Sequence, residues 1–124
     1  MLLVQQRADG AAYLSGYVVE CALKSLWLHE KGVVSGTPPT GPQGHNLAYL
    51  GSQISAFASV SGARTSRYFK AATASVSEGA IASWTPNMRY RPATMTLAEA
   101  RAWYAIADAV FQETVAQMRL DGVL

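Results

Sequence analysis

The sequence lacks the cysteine pairs on which disulfide frameworks and multi-cysteine metal sites depend. Its 124 residues include one cysteine, Cys21. A single cysteine excludes an intramolecular disulfide and fits a reducing compartment. Because Cys21 lies in an apolar helical run, we expect an inert thiol in the core. Zinc-type ligand spacing, a phosphate-binding glycine loop and a nucleophile elbow are also missing, so no cofactor or metal is predicted.

Long hydrophobic runs and a large net charge are missing too. The most apolar stretch, residues 13–32, contains four ionisable side chains: Glu20, Lys24, His29 and Glu30. None of its segments therefore reaches the roughly 18 residues that cross a bilayer. The first ten residues have neither the basic region nor the long apolar region of a signal peptide. We therefore expect a cytoplasmic protein that does not contact a membrane.

The net charge of +2 is too small to indicate a nucleic-acid-binding protein by itself, but the positive charge is unevenly placed. The stretch from residue 64 to 91 holds one acid, Glu78, and five basic residues: Arg64, Arg67, Lys70, Arg89 and Arg91. This pattern is typical either of a basic face for an anionic partner or of an ordinary solvated helix surface.

The composition of the chain and the helical spacing of its apolar residues predict one compact all-α domain over residues 1–124. Half of the chain is hydrophobic and 15% is charged, which is typical of a globular domain. Helical spacing predicts a first helix over about residues 8–31, apolar nearly all round and therefore covered on several sides. The proline- and glycine-rich residues 33–44 predict a long loop. A second helix follows Asn46 as its N-cap and closes at Ser61 and Gly62.

The second half of the chain predicts one weak and one well-bounded helix. Residues 63–84 show helical spacing, but serines, threonines and Gly79 indicate a break near Ser77. Two prolines then bracket an irregular stretch, residues 84–92. Thr96 and Glu99 form a capping-box pattern at the start of the last helix. The predicted architecture is an up-and-down bundle of four main helices with one long loop after the first.

Three segments carry a resemblance to a known family. They are "GYVVECALKSL" (residues 16–26), "GHNLAYL" (44–50) and "WTPNMRYRP" (84–92). In this order, separated by helices, they resemble the HEPN domain family of small prokaryotic helical proteins. The resemblance implies a helical bundle that pairs into a homodimer. It also implies a minimal nucleotidyltransferase partner in a toxin–antitoxin or defence system, with nucleotide or RNA as ligand.

Many members of that family are metal-independent ribonucleases that use an Arg-x(4–6)-His motif. The positions five to seven residues before His29 and before His45 contain no arginine, and no histidine follows Arg89 or Arg91 at this spacing. The motif is therefore absent. The preferred prediction is a non-catalytic module that binds a nucleotide, RNA or the partner protein. The alternative is a divergent ribonuclease in which Arg89 or Arg91 binds phosphate and His45 transfers protons.

Glu20 and Lys24 are the first candidate ligand-binding residues. They lie one helical turn apart in an apolar helix, with the acid first, which is the favoured order for an ion pair. One interpretation is a structural clamp that ties the first helix to another element, with Tyr17 or Arg89 as a third partner of Glu20. The other interpretation is that the pair faces a ligand.

Four further candidates lie together in the proline-bracketed loop: Trp84, Arg89, Tyr90 and Arg91. Arginines grip phosphate through two parallel hydrogen bonds, and aromatic rings stack on bases. The alternative is structural, with an arginine reaching Glu20 and an aromatic ring plugging the end of the bundle. His45 is a weak catalytic candidate, because its position just before a helix also suits capping or packing.

Overall fold

The computed structural model describes residues 2–31, 41–60, 62–87 and 95–123, without the side chains of residues 2–6 and 42. In this part of the chain there is no strand, and the all-α prediction is confirmed. The α-helices are α1 (Leu2–Lys31), α2 (Gly41–Gly44), α3 (Leu47–Ala58), α4 (Ala71–Ser75), α5 (Leu97–Phe111) and α6 (Gln117–Leu120). None of the described helices combines the length and apolarity that a membrane span requires.

Helix α1 packs against both α3 and α5, but one of its faces is uncovered. Val19, Leu23 and other apolar side chains are fully buried, whereas Leu14 is 62% and Val18 39% exposed. Cys21 lies one turn beyond Val18 and is exposed as well. The prediction that α1 is covered on several sides is confirmed, but the prediction that Cys21 is a core thiol is wrong, because no other described element packs over this side of the helix.

Helix α3 begins where the sequence indicates. The Asn46 side chain accepts a hydrogen bond of 3.0 Å from the backbone N–H of Tyr49, which satisfies one of the free donors at the helix start. Leu47, Leu50 and Ile54 are completely buried. Residues 41–44 of the predicted loop form the short helix α2, and residues 33–40 of that loop lie outside the described part.

The weak third helix is divided into three short pieces. They are a 3₁₀-helix at Arg64–Arg67, α4, and a second 3₁₀-helix at Ala80–Ser83. Two acids on the long helices cap the first two pieces: Glu30 accepts hydrogen bonds from the backbone of Thr65, and Glu113 from that of Thr73. Each also bonds the threonine hydroxyl. These tertiary caps stabilise segments whose sequence is a poor helix former.

The last helix has both hydrogen bonds of the predicted capping box. Thr96 Oγ1 accepts from the N–H of Glu99, and Glu99 accepts from the N–H of Thr96, each at 3.1 Å. After Phe111 the helix widens into a π-helical stretch over Gln112–Ala116 and then continues as α6. The buried Thr114 hydroxyl donates to the carbonyl of Val110 at 2.7 Å, an interaction that perturbs helical backbones.

Contacts at both ends show that α1 and the last helix run in the same direction. Asp9, near the start of α1, accepts a hydrogen bond from the N–H of Met95, just before α5. At the opposite end the ring of His29 packs on Tyr68, whose hydroxyl donates to Asp121 beyond α6. In an up-and-down bundle of four helices the first and last helices are antiparallel. This part of the predicted architecture is therefore wrong.

The reason for the parallel arrangement is the path of the connecting segments. Residues 63–87 run against α1, because Thr65 contacts Glu30 near its end and Trp84 contacts Tyr13 near its start. The chain has also returned towards the middle of α1 before α3 begins, where His45 meets Glu20. Because the chain runs back along α1 after each of the first two long helices, α1, α3 and α5 all run in the same direction.

A network of hydrogen bonds closes the end of the molecule around Asp121. Its carboxylate accepts two bonds from the guanidinium of Arg67, at 2.6 and 3.0 Å, and one of 2.7 Å from the hydroxyl of Tyr68. Gln117 adds a fourth bond. Hydrogen bonds from Arg67, and secondly from Tyr68, hold the pKa of Asp121 well below its usual range.

This lowered pKa predicts a pH-dependent contribution to stability. A carboxyl whose pKa is lower in the folded than in the unfolded chain stabilises the fold above its unfolded value, near 4, and loses that contribution as the pH falls further. The melting temperature of Asp121→Asn should therefore lie below that of the wild type between pH 5 and 7. The difference should shrink below about pH 4. If the difference in melting temperature were as large below pH 4 as at pH 5 to 7, the role of the Asp121 charge would be contradicted.

Candidate functional site

Glu20 is a buried carboxylate in the middle of α1. Only 5% of the residue is exposed. Lys24, one turn further along, places its Nζ atom 3.2 Å from Glu20 Oε2, and His45 places its Nδ1 atom 2.7 Å from Glu20 Oε1. The Glu20–Lys24 pair is formed as its spacing indicates. Each carboxylate oxygen has its own partner, so the buried charge is compensated on both sides.

Two elements, α1 and the start of α3, explain why these side chains meet. The helical spacing of α1 brings Lys24 over the carboxylate. His45 directly precedes the N-cap Asn46, so the anchored start of α3 fixes the backbone that carries the imidazole. The side chain of His45 remains 42% exposed, against 6% for Glu20 and 27% for Lys24.

The pairing leaves one ring nitrogen of His45 available. Since Nδ1 is engaged by the carboxylate, Nε2 is the atom that can bind a ligand or exchange a proton. A carboxylate that holds one ring nitrogen fixes the orientation of the ring and its tautomer. We call Glu20, Lys24 and His45 the Glu20 cluster. Chemically, the Nε2 atom of His45 can accept a hydrogen bond from a ligand when the ring is neutral and donate one when the ring is protonated.

A cavity of about 530 Å³ lies beside the exposed part of His45. Its described lining consists of His45, Asn46, Ala82, Trp84, Thr85, Pro86 and Asn87. The hydroxyl of Thr85 is buried and has no hydrogen-bond partner among the described residues. A buried hydroxyl without a partner destabilises the fold. Thr85 thus lines the same cavity as the imidazole and carries a hydroxyl without a partner among the described residues.

Trp84 is not available as an exposed stacking platform. It is completely buried. Its Nε1–H donates to the carbonyl of Tyr13 at 3.0 Å, and its ring meets that of Tyr17 edge to face at 5.0 Å. Trp84 is therefore an interior residue packed against α1, which agrees with the structural interpretation of this loop. This burial disagrees with the interpretation of Trp84 as an exposed ring that stacks on a base.

The other aromatic and basic candidates, Arg89, Tyr90 and Arg91, lie outside the described residues. The predicted contact between Arg89 and Glu20 is therefore still a prediction. The observed partner of Glu20 from another element is His45, a pairing that the sequence did not indicate. The two residues are 25 positions apart, and helical periodicity carries no signal across that distance. The only local hint is the placement of His45 directly before an N-cap.

The described residues contain no group of three or more histidine, cysteine or acidic side chains that could hold a metal ion. Fold and site thus define an all-α protein in which a buried carboxylate holds a half-exposed histidine beside a cavity. Comparisons of this chain with protein-family models, curated proteins and solved structures give no match.

Proposed function

We propose that this chain is a non-catalytic HEPN-like module that binds a nucleotide, or a nucleotide unit of RNA, in the cavity beside His45. The observation behind the proposal is that His45, held by Glu20, lines this cavity together with Thr85, whose hydroxyl has no hydrogen-bond partner among the described residues. We further propose the setting that the family resemblance implies: a toxin–antitoxin or defence system with a minimal nucleotidyltransferase partner and a homodimeric module.

Size and electrostatics of the cavity support a ligand of this class. A volume near 530 Å³ lies within the range of small-molecule sites, roughly 300–1,000 Å³. Of the Glu20 cluster, His45 lines the cavity, and its ring carries a positive charge when both nitrogens are protonated. Imidazole and hydroxyl donors together suit phosphate oxygens. The neighbouring residues 88–94 add Arg89 and Arg91 to the same region of the sequence.

The proposal predicts that two substitutions in the cavity separate binding from stability. His45→Gln should weaken binding of nucleoside monophosphates or a short single-stranded RNA by about tenfold or more, because the imidazole that contacts the ligand is lost. Thr85→Val should weaken binding a few-fold, yet keep or raise the melting temperature, because the Thr85 hydroxyl has no partner in the described part of the chain. Isothermal titration calorimetry and thermal melting measure the two effects.

The matched control is His29→Gln, which alters the other histidine of the chain, packed on Tyr68 and away from the cavity. Its affinity should equal that of the wild type. Replacing Arg89 and Arg91 together with alanine should also weaken binding without lowering the melting temperature. A wild type that binds neither ligand, or a Thr85→Val variant with unchanged affinity, would contradict the proposed cavity.

The Glu20–His45 hydrogen bond favours a second candidate function, a divergent metal-independent ribonuclease. In this function His45 Nε2 accepts or donates a proton at the ribose or phosphate, while Glu20 orients the ring. RNA cleavage that disappears in His45→Ala and persists in His29→Ala would support the ribonuclease. Tight binding without cleavage by the wild type would support the non-catalytic module.

A further inference from the structure

The uncovered face of α1 continues into an apolar groove against α5, on a side of the molecule that shares no residue with the His45 cavity. The groove has a volume of about 410 Å³, and its described lining is almost entirely apolar. Two large side chains on its rim are strongly exposed, Leu14 at 62% and Tyr104 at 64%. Val18 and Phe111 also line the groove.

Helix α5 carries one basic and one acidic residue on the side that bears Tyr104. Arg101 and Asp108 are both exposed and lie seven residues apart on α5, one turn on either side of Tyr104. The seven-residue spacing places them on the same side of the helix, about 10.5 Å apart along its axis. Within the described part of the chain neither forms an ion pair or hydrogen bond. Asp108 itself lines the groove.

We propose that a second copy of this chain covers the groove, with the two α5 helices packed antiparallel about a two-fold axis between Tyr104 and Ala105. Such an axis places residue 101 of one copy opposite residue 108 of the other. Arg101 then faces Asp108 of the second copy, and the symmetry repeats the pair on the other side of the axis. The exposed Tyr104 rings meet at the centre, between the apolar grooves.

The order of the charges favours a second copy over an unrelated partner. When two copies of one helix pack antiparallel, the basic residue of each copy faces the acidic residue of the other. An isologous interface requires this kind of self-complementary surface. A parallel pairing would place Arg101 against Arg101, which is unfavourable. The inference deepens the homodimer proposed above, but its test uses no ligand, so its failure leaves the binding proposal unaffected.

Charge exchange tests the pairing directly. In sedimentation velocity, the wild type should dimerise at micromolar concentration. Arg101→Asp and Asp108→Arg should each weaken the dimer by about tenfold or more, because either change places two like-charged pairs across the interface. The double variant restores both pairs in reversed order and should recover wild-type affinity. The controls Lys70→Asp and Glu78→Arg make equal charge changes at exposed positions elsewhere and should leave dimerisation unchanged.

The single cysteine gives an independent readout. A nitroxide on the exposed Cys21 should show one inter-label distance in the wild type and lose it in Arg101→Asp. Circular dichroism melting confirms that the variants remain folded. A wild type that stays monomeric at hundreds of micromolar would overturn the inference. A dimer that is insensitive to both single exchanges, or a double variant that is not rescued, would overturn it as well.

Discussion

Replacing Gly16 with alanine is expected to destabilise the protein by about 3 kcal/mol or more, the upper end for overpacking a core. A Cβ atom at Gly16 would lie 2.1–2.2 Å from three atoms of the Trp84 indole. The indole has no room to retreat, because it is completely buried and bonded to the carbonyl of Tyr13. For a domain of this size the loss corresponds to a fall of roughly 10 °C or more in melting temperature.

The same helix offers a matched control at Gly10. This glycine is exposed, and an added Cβ atom would meet nothing within 4 Å. Gly10→Ala should therefore stabilise the protein by roughly 0.5–1 kcal/mol, the usual gain in a helix interior. Urea unfolding of the two variants should give changes of opposite sign. Equal or negligible changes would mean that Trp84 does not pack against Gly16 as described.

The second large effect is expected when Glu20 loses both partners. Lys24→Met combined with His45→Leu leaves a buried carboxylate without compensation and should cost about 3–5 kcal/mol. Glu20→Gln alone should cost less, about 1–3 kcal/mol, because the side chains of Lys24 and His45 that remain are partly exposed and can turn to water. Adding Glu20→Met to the double variant should recover much of the loss.

Chemical denaturation of these variants measures the order directly. The predicted ranking places the double variant as the least stable and the triple variant above it. If Glu20→Gln were the most destabilised, the isolated buried charge would not be the main source of the instability. If the triple variant were no more stable than the double, the loss would come from packing around Lys24 and His45 rather than from the isolated carboxylate.

Local sequence signals predicted the starts of two helices well, whereas α1 begins at Leu2 rather than near residue 8 and α3 ends at Ala58 rather than at Ser61 and Gly62. Asn46 and Thr96 are N-caps in the structure as in the sequence, because capping depends on side chains within three positions of one another. The contact of Lys24 with Glu20 was predictable for the same reason. The helical class followed from periodicity over many residues, which tolerates local errors.

Contacts between distant segments were not predictable in this way. The pairing of Glu20 with His45 depends on how the chain returns after α1, which no spacing rule describes. The parallel direction of α1 and α5 has the same origin. Apolar periodicity indicated a covered face at Leu14 and Val18, but it does not distinguish a core from a surface that remains exposed in one copy. The 3₁₀-helix at Arg64–Arg67 and helix α4 depend on caps from Glu30 and Glu113, which are far away in sequence.

The central claim is that Glu20 holds His45 at a cavity where its Nε2 atom binds a nucleotide. The most direct measurement is a long-range ¹H–¹⁵N correlation spectrum of the two histidine rings during titration with nucleoside monophosphates. The ring signals of His45 should shift and saturate, those of His29 should stay in place, and Glu20→Gln should reduce the His45 response. Signals of His45 that stay unchanged at millimolar nucleotide, or that move only together with those of His29, would contradict the claim.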